Sequence, residues 1–348
     1  MHVRPARRRT ARHLLAGLVL LLLLLAGAEV ALRLFTPAER FLDPDTDAYW
    51  QARLRARLAA GRPGPADIVY DARLGWRMAP DYHAAGVTHD DRGYRRTTAP
   101  AGGGRGGAIL ALGDSFTYGL GVADGETFAS RLAELTGRPV VNAGVTAHGV
   151  DQSLLLWEGE GAALRPQTVV FGYAVDKFHV NALSVRDLPK PYFRRDPGDG
   201  RFHLRNQPVP TLAEAAARGL LGDDRRPRLP GLLDWARRRV DARLGRLDLD
   251  RLNERAALSD YLLTRLHDSV QAHGARLLVA FIGNCDDGPA NRWIEEEVMA
   301  FCRRQGYDCL DLAAAMRGPE RGRYFGANCH YSPAGHRLAA ERIAAALR

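Results

Sequence analysis

Ala108-Ile109-Leu110-Ala111-Leu112-Gly113-Asp114-Ser115-Phe116-Thr117-Tyr118-Gly119 is the stretch on which the fold turns. Its first five residues are apolar without alternation, the pattern of a strand covered on both faces. A glycine and two small polar residues break the run, and Ser115 lies on that break. In a parallel sheet, ligands bind at the carboxyl ends of the strands. A serine on such a turn, ahead of a helix, is exposed and can aim its own N–H at a developing oxyanion. The hydroxyl alone is a weak nucleophile and needs a base. A Gly-Asp-Ser tripeptide by itself reads as an ordinary loop, so its surroundings decide.

Working outward, the strand is followed by more of the same kind. Phe128 to Leu135 has helical spacing and ends at Thr136-Gly137. Val140-Val141 reads as a second strand, Ser153 to Leu164 as a helix and Thr168 to Phe171 as a third strand. Later come a helix at Tyr261 to His273, a strand at Ala275 to Ile282 and a helix at Trp293 to Arg304. A last strand at Tyr307 to Leu310 precedes a closing amphipathic helix at Gly335 to Leu347. Strands alternating with helices predict an α/β fold, a parallel sheet with helices on both faces. The series is interrupted from about Ala182 to Leu258, a segment punctuated by seven prolines between Pro189 and Pro230. Asp199-Gly200 between two short runs predicts a hairpin there. Leu233, Ala236, Val240, Leu244 and Leu247 then mark one apolar face of a basic helix, read as packed on the domain rather than on anionic lipid.

The first 35 residues bear on compartment. Arg4, Arg7, Arg8, Arg9 and Arg12 precede an unbroken apolar run from Leu14 to Ala28, and Val30 to Phe35 continue it past Glu29. About 20 apolar residues span a bilayer. We read 14–35 as an uncleaved signal-anchor with 1–13 as its cytoplasmic basic flank, the rest of the chain being exported. The alternative is a signal peptide cleaved near Ala26-Gly27-Ala28. Residues 36–107 read as a stalk and lead-in, and 108–348 as the catalytic-type domain. Of the formal charge of +9, those five arginines supply more than half, so the remainder gives no reason to expect nucleic acid. Export permits disulfides. Cys302 and Cys309, across a short helix-to-strand turn, are the expected pair among Cys285, Cys302, Cys309 and Cys329, with free buried thiols as the alternative. No spacing of Cys or His suggests a metal site, and no cofactor is expected.

Three further segments give Ser115 its context. Asn142-Ala143-Gly144 follows the second strand and Asp176 the third, at the same end of the sheet as Asp114. Cys329-His330-Tyr331-Ser332-Pro333-Ala334-Gly335-His336 precedes the closing helix, and His330 on that loop is the candidate base. His336, at the helix start, reads as structural or capping.

With these residues in hand, the chain from about Asp71 to Leu347 resembles the SGNH/GDSL hydrolase superfamily, in its membrane-anchored bacterial branch. The similarity is carried by the serine block with Gly121-Val122-Ala123-Asp124-Gly125-Glu126-Thr127, by Val141-Asn142-Ala143-Gly144, and by Gly149-Val150-Asp151-Gln152. His330 to His336, Leu74-Gly75-Trp76-Arg77 and Gly93-Tyr94-Arg95 add to it. The resemblance implies a flavodoxin-like three-layer α/β/α sandwich and ester chemistry. Ser115 would be the nucleophile, His330 the base, and the N–H groups of Ser115 and Gly144 oxyanion donors. Two positions depart from the pattern. Val175 precedes Asp176 where the family carries an oxyanion asparagine, for which Asn181 or Asn142 are possible substitutes. Ala327 and Asn328 stand where an aspartate orients the histidine, and Asn328 is the candidate orienter through its amide oxygen. The expected function is hydrolysis of ester-linked acyl groups on an extracytoplasmic glycan or envelope lipid. The alternatives are O-acyl transfer to a cell-surface polysaccharide and glycan binding without catalysis.

Overall fold

The computed structural model describes residues 6–62, 64–98, 107–222 and 226–348. Arg4 of the basic flank and most of the glycine run at 102–107 lie outside them. The chain divides into two compact units, Met1–Ala60 with Gly219–Arg246, and Gly61–Arg218 with Leu247–Arg348.

The smaller unit is helical. Its N-terminal helix runs Ala6–Phe35, and the stretch Arg12–Phe35 is long and apolar enough to cross a membrane, with none of it buried in protein. The helix Arg228–Arg243 is fastened to it at Glu29, whose carboxylate accepts the N–H groups of Arg228 and Leu229. Those are orphan donors of a helix first turn, and an acidic side chain satisfies them well. Leu233, Val240 and Leu244 on one side of this helix are exposed. A concavity of about 450 Å³ lies within this unit, beside Phe41, Gln51, Arg55 and Gly231. None of its lining residues belongs to the unit that carries Ser115.

The larger unit opens with an antiparallel hairpin of β1 (Ile68–Asp71) and β2 (Gly75–Met78). The main sheet contains β3 (Ile109–Gly113), β4 (Val140–Gly144), β5 (Thr168–Ala174), β8 (Arg276–Ile282) and β9 (Cys309–Asp311), all parallel, in the order β9-β8-β5-β3-β4. Counting only these five in chain order, that is 2-1-3-4-5, the flavodoxin-like arrangement. Between β5 and β8 the hairpin of β6 (Tyr192–Arg195) and β7 (Phe202–Arg205) closes around Asp199-Gly200 as expected.

Helices cover both faces because the strands are apolar on both. Leu110, Leu112, Phe171, Val279 and Phe281 point to one core with α3 (Val150–Leu156), α5 (Leu249–Ala272) and α6 (Pro289–Gln305). Ile109, Ala111, Val170, Leu278 and Ala280 point to the other, with α2 (Phe128–Thr136) and α7 (Pro333–Ala346). Alternate residues of each strand thus serve opposite layers, the period-two geometry of a pleated strand.

Some boundaries differ from expectation. The helix expected at Ser153–Leu164 starts earlier and loosens after Leu156 into a π turn at Trp157–Gly161. α5 begins at Leu249 rather than Tyr261, its first half hidden from the apolar pattern by the buried Arg255 and Ser259. Both cysteine pairs are joined, Cys302 to Cys309 and Cys285 to Cys329.

Candidate active site

Ser115 opens the single-turn helix α1 (Ser115–Tyr118) directly after β3. Gly113 makes the turn possible. Its φ of 150° suits glycine, and a Cβ there would run into Thr117 Oγ1 and the Gly172 carbonyl. Asp114 Oδ1 then accepts the Phe116 N–H at 3.0 Å, capping the turn. At the far end the buried Arg95 guanidinium donates to the carbonyls of Tyr118, Gly119 and Val122 and pairs with Asp124 at 2.8 Å. The Gly93-Tyr94-Arg95 segment therefore braces the nucleophile's turn.

His330 arrives from 215 residues downstream, and its Nε2 stands 2.8 Å from Ser115 Oγ. Its Nδ1 faces the main-chain carbonyl of Asn328 at 3.1 Å. A carbonyl only accepts, so Nδ1 carries the proton and Nε2 is left bare to accept from the serine. The Phe116 ring lies 4.8 Å from the imidazole at a tilt of 31°, and Tyr331 packs edge-on against Phe116. The loop is a tight turn in which Gly326 N–H bonds the His330 carbonyl and Cys329 N–H the Gly326 carbonyl.

The amide oxygen of Asn328 does not meet the ring. It accepts the main-chain N–H of His330 at 3.2 Å, so this residue addresses the imidazole through its backbone, not through the side chain that sequence reasoning favoured. Ala327 brings no functional group.

Gly144 ends β4 beside the nucleophile's turn. A Cβ at Gly144 would overlap the backbone of Thr117 and Tyr118, so glycine there lets the two elements approach. Its N–H donates to Asn142 Oδ1 at 3.1 Å, while Asn142 Nδ2 reaches the Tyr118 carbonyl at 3.3 Å. The Asn142 amide thus ties β4 to the turn through its Nδ2, while its oxygen occupies the Gly144 N–H that the sequence offered as an oxyanion donor. Asn181 accepts the Val150 N–H at 2.8 Å. The Ser115 N–H has no backbone acceptor among the described residues. Val175 is buried and apolar. His336 is buried too, and its Nδ1 accepts the Phe128 N–H at 3.1 Å, a helix cap as expected.

Beneath the serine lies a charged group that sequence reasoning only half foresaw. Lys177 Nζ sits 3.1 Å from Asp114 and 2.9 Å from Asp176. Burial raises the Asp114 carboxyl, opposed by Lys177. For Asp176 burial also pushes upward, but Lys177, Arg186 and His330 together hold it below its ordinary value. Burial pulls Lys177 down, and the two carboxylates more than restore it. Lys177 was missed because one of two lysines beside an acidic residue reads as a solvated pair. Its helix α4 (Lys177–Val180) follows β5 directly, which points the side chain inward.

No protein-family model matches the chain, and no curated protein matches it. Among solved structures, a lipase/acylhydrolase from Enterococcus faecalis is 14% identical over 69% of this chain and 94% of its own, with a TM-score of 0.42. A GDSL-like lipase from Bacteroides thetaiotaomicron VPI-5482 is 10% identical, covering 69% of this chain and 87% of that one at a TM-score of 0.40. A catalytic mutant of an acetylxylan esterase from Geobacillus stearothermophilus is 13% identical over 70% and 95% of the two chains, at 0.41.

Proposed function

We propose that this chain is a serine esterase of the SGNH type, held at a membrane by its N-terminal helix and acting outside the cytoplasm. Its substrates would be ester-linked acyl groups on glycans or envelope lipids. The observation that carries the reading is the 2.8 Å separation of Ser115 Oγ and His330 Nε2, with the other ring nitrogen already holding a proton.

In the reaction, Ser115 Oγ attacks the ester carbonyl carbon while its proton passes to His330 Nε2. The carbonyl π pair moves to oxygen, and the Ser115 N–H is placed to receive that charge. Collapse expels the alkoxide, which takes the proton back from Nε2. Water then repeats the sequence on the acyl-serine, releasing the acid and restoring the hydroxyl. The imidazolium formed in each half is oriented by the Asn328 carbonyl.

Fewer oxyanion donors lower the rate. Removing one donor costs about 10²–10³-fold in an enzyme where it was measured. The site therefore suits activated or slowly turned-over esters. Two features support the location: the arginines ahead of the apolar helix, which favour a cytoplasmic N-terminus, and two disulfides, which persist in oxidising compartments.

The test is hydrolysis of nitrophenyl acetate by the full-length protein in detergent, beside its Ser115→Ala variant. The wild type should release nitrophenol and the variant should fall to background. Equal rates would reject the reading. Parallel assays with an O-acetylated polysaccharide and a phospholipid would separate the two substrate classes.

A further inference from the structure

We infer that the disulfide between Cys285 and Cys329 is the positioning device for His330, supplying the orientation that no carboxylate among the described residues supplies at its Nδ1. The inference rests on the esterase reading, and it starts from the turn that carries the imidazole. Cys329 is the residue immediately before His330 and is joined to Cys285. It adopts φ 61°, a left-handed conformation that glycine or asparagine normally fills. Gly326, Ala327 and Asn328 beside it are exposed, so packing does little to hold the turn. Yet the carbonyl that fixes the ring tautomer belongs to Asn328, inside that same exposed turn.

The other end of the link follows a buried strand. Cys285 lies just past β8, whose residues from Leu277 to Ile282 are all buried at the centre of the sheet. The loop around it is braced by Arg321, which donates to the Asn284 carbonyl at 2.7 Å and pairs with Asp287 at 2.9 Å. Arg292 pairs with the same Asp287 at 2.7 Å. The covalent bond therefore ties an exposed turn to a loop that follows a buried strand and is braced on either side of Cys285. Tyr331, buried on the other side of His330, holds the second chain end. With both neighbours anchored, the imidazole has little freedom except rotation, and the Asn328 carbonyl and the Phe116 ring limit that. The second disulfide, Cys302 to Cys309, joins α6 to β9 and makes no such connection.

The experiment compares the full-length wild type with two double variants, Cys285→Ser with Cys329→Ser, and Cys302→Ser with Cys309→Ser. All are assayed on nitrophenyl acetate well below their unfolding temperatures. A misplacement of about 1 Å can cost on the order of 100-fold in rate. The first variant should lose about 10–100-fold in kcat with KM changed less than about threefold, and the second should stay within about twofold of wild type. The independent readout is the His330 Nδ1 proton in nitrogen-edited NMR, which should be protected in wild type and exchange-broadened in the first variant only. A loss in kcat no greater than that of the second variant, or an unchanged Nδ1 proton signal, would overturn the inference. A wild type without esterase activity would overturn the esterase reading instead. The NMR comparison would still decide whether the disulfide holds the ring.

Discussion

Lys177→Met isolates the charge under the nucleophile. Methionine keeps the length of the side chain and removes its ammonium. In the wild type that ammonium lies 3.1 Å from Asp114 and 2.9 Å from Asp176, with side-chain exposures of 4%, 2% and 42% respectively. Breaking a buried pair from one side costs about 3–5 kcal/mol, because a buried charge is left uncompensated. The Asp176 share must be discounted because that side chain is well exposed, so we take the lower end, about 3 kcal/mol. For a unit of this size each kcal/mol moves the melting temperature by about 2–4 °C, giving a fall of about 6–12 °C.

The pH dependence gives the sharper signature. In the wild type Asp176 is held low, so its contribution is whole above the ordinary carboxylate value and is lost as pH falls through the lowered one. In the variant burial raises Asp114 with only the Phe116 N–H still opposing it, while Asp176 keeps Arg186 and His330. The Asp114 penalty is then present at neutral pH and vanishes once acid protonates that carboxyl. The stability gap should be widest near pH 7 and should narrow below about pH 5. Adding Asp114→Asn, whose amide oxygen can still cap Phe116, should recover roughly half of the loss. Calorimetric melting at several pH values is the assay. A shift under about 2 °C, or a gap that does not change with pH, would refute the reasoning.

Asn328→Asp places a carboxylate where the side chain meets a main-chain N–H instead of the ring. It should therefore change kcat on nitrophenyl acetate by less than about threefold, and a gain of tenfold would mean that the side chain turns to the imidazole. Gly144→Ala forces a methyl into the backbone of Thr117 and Tyr118. Overpacking of this kind costs about 1–3 kcal/mol, read as a lowered urea midpoint. A variant as stable as wild type would show that β4 and the turn can separate freely. Burial pushes His336 down to about 3, whereas the unfolded chain takes up that proton near pH 6.5. The stability this confers is whole above about pH 6.5 and drains as pH falls toward 3, so His336→Asn should lose about 2 kcal/mol less than wild type between pH 7 and pH 5. Parallel pH profiles would place the acid sensitivity elsewhere.

The sheet was readable because its strands are buried on both faces. Continuous apolar runs such as Ile109 to Leu112 and Leu277 to Ile282 have few other destinations, and the Gly-Asp-Ser turn marks the end of the first one. The meeting of Ser115 with His330 could be expected from their loops lying at one end of that sheet. Less accessible was anything set by side-chain direction. Asn328 and an orienting side chain look equivalent in sequence, but the tight turn aims the amide at its own backbone and leaves the carbonyl to the ring. The association of Arg228–Arg243 with the N-terminal helix rests on Glu29, some 200 residues away, where no local pattern reports it. Arg255 and Ser259 hid the first half of α5 because buried polar residues interrupt helical periodicity.

The most direct measurement is labelling of the full-length protein with a fluorophosphonate, followed by peptide mapping, since this reagent reports an activated serine whatever the natural ester. One modified residue is expected, Ser115, with labelling absent in Ser115→Ala and slowed at least about 100-fold in His330→Ala. Modification elsewhere, none at all, or an equal rate without the imidazole would contradict the account.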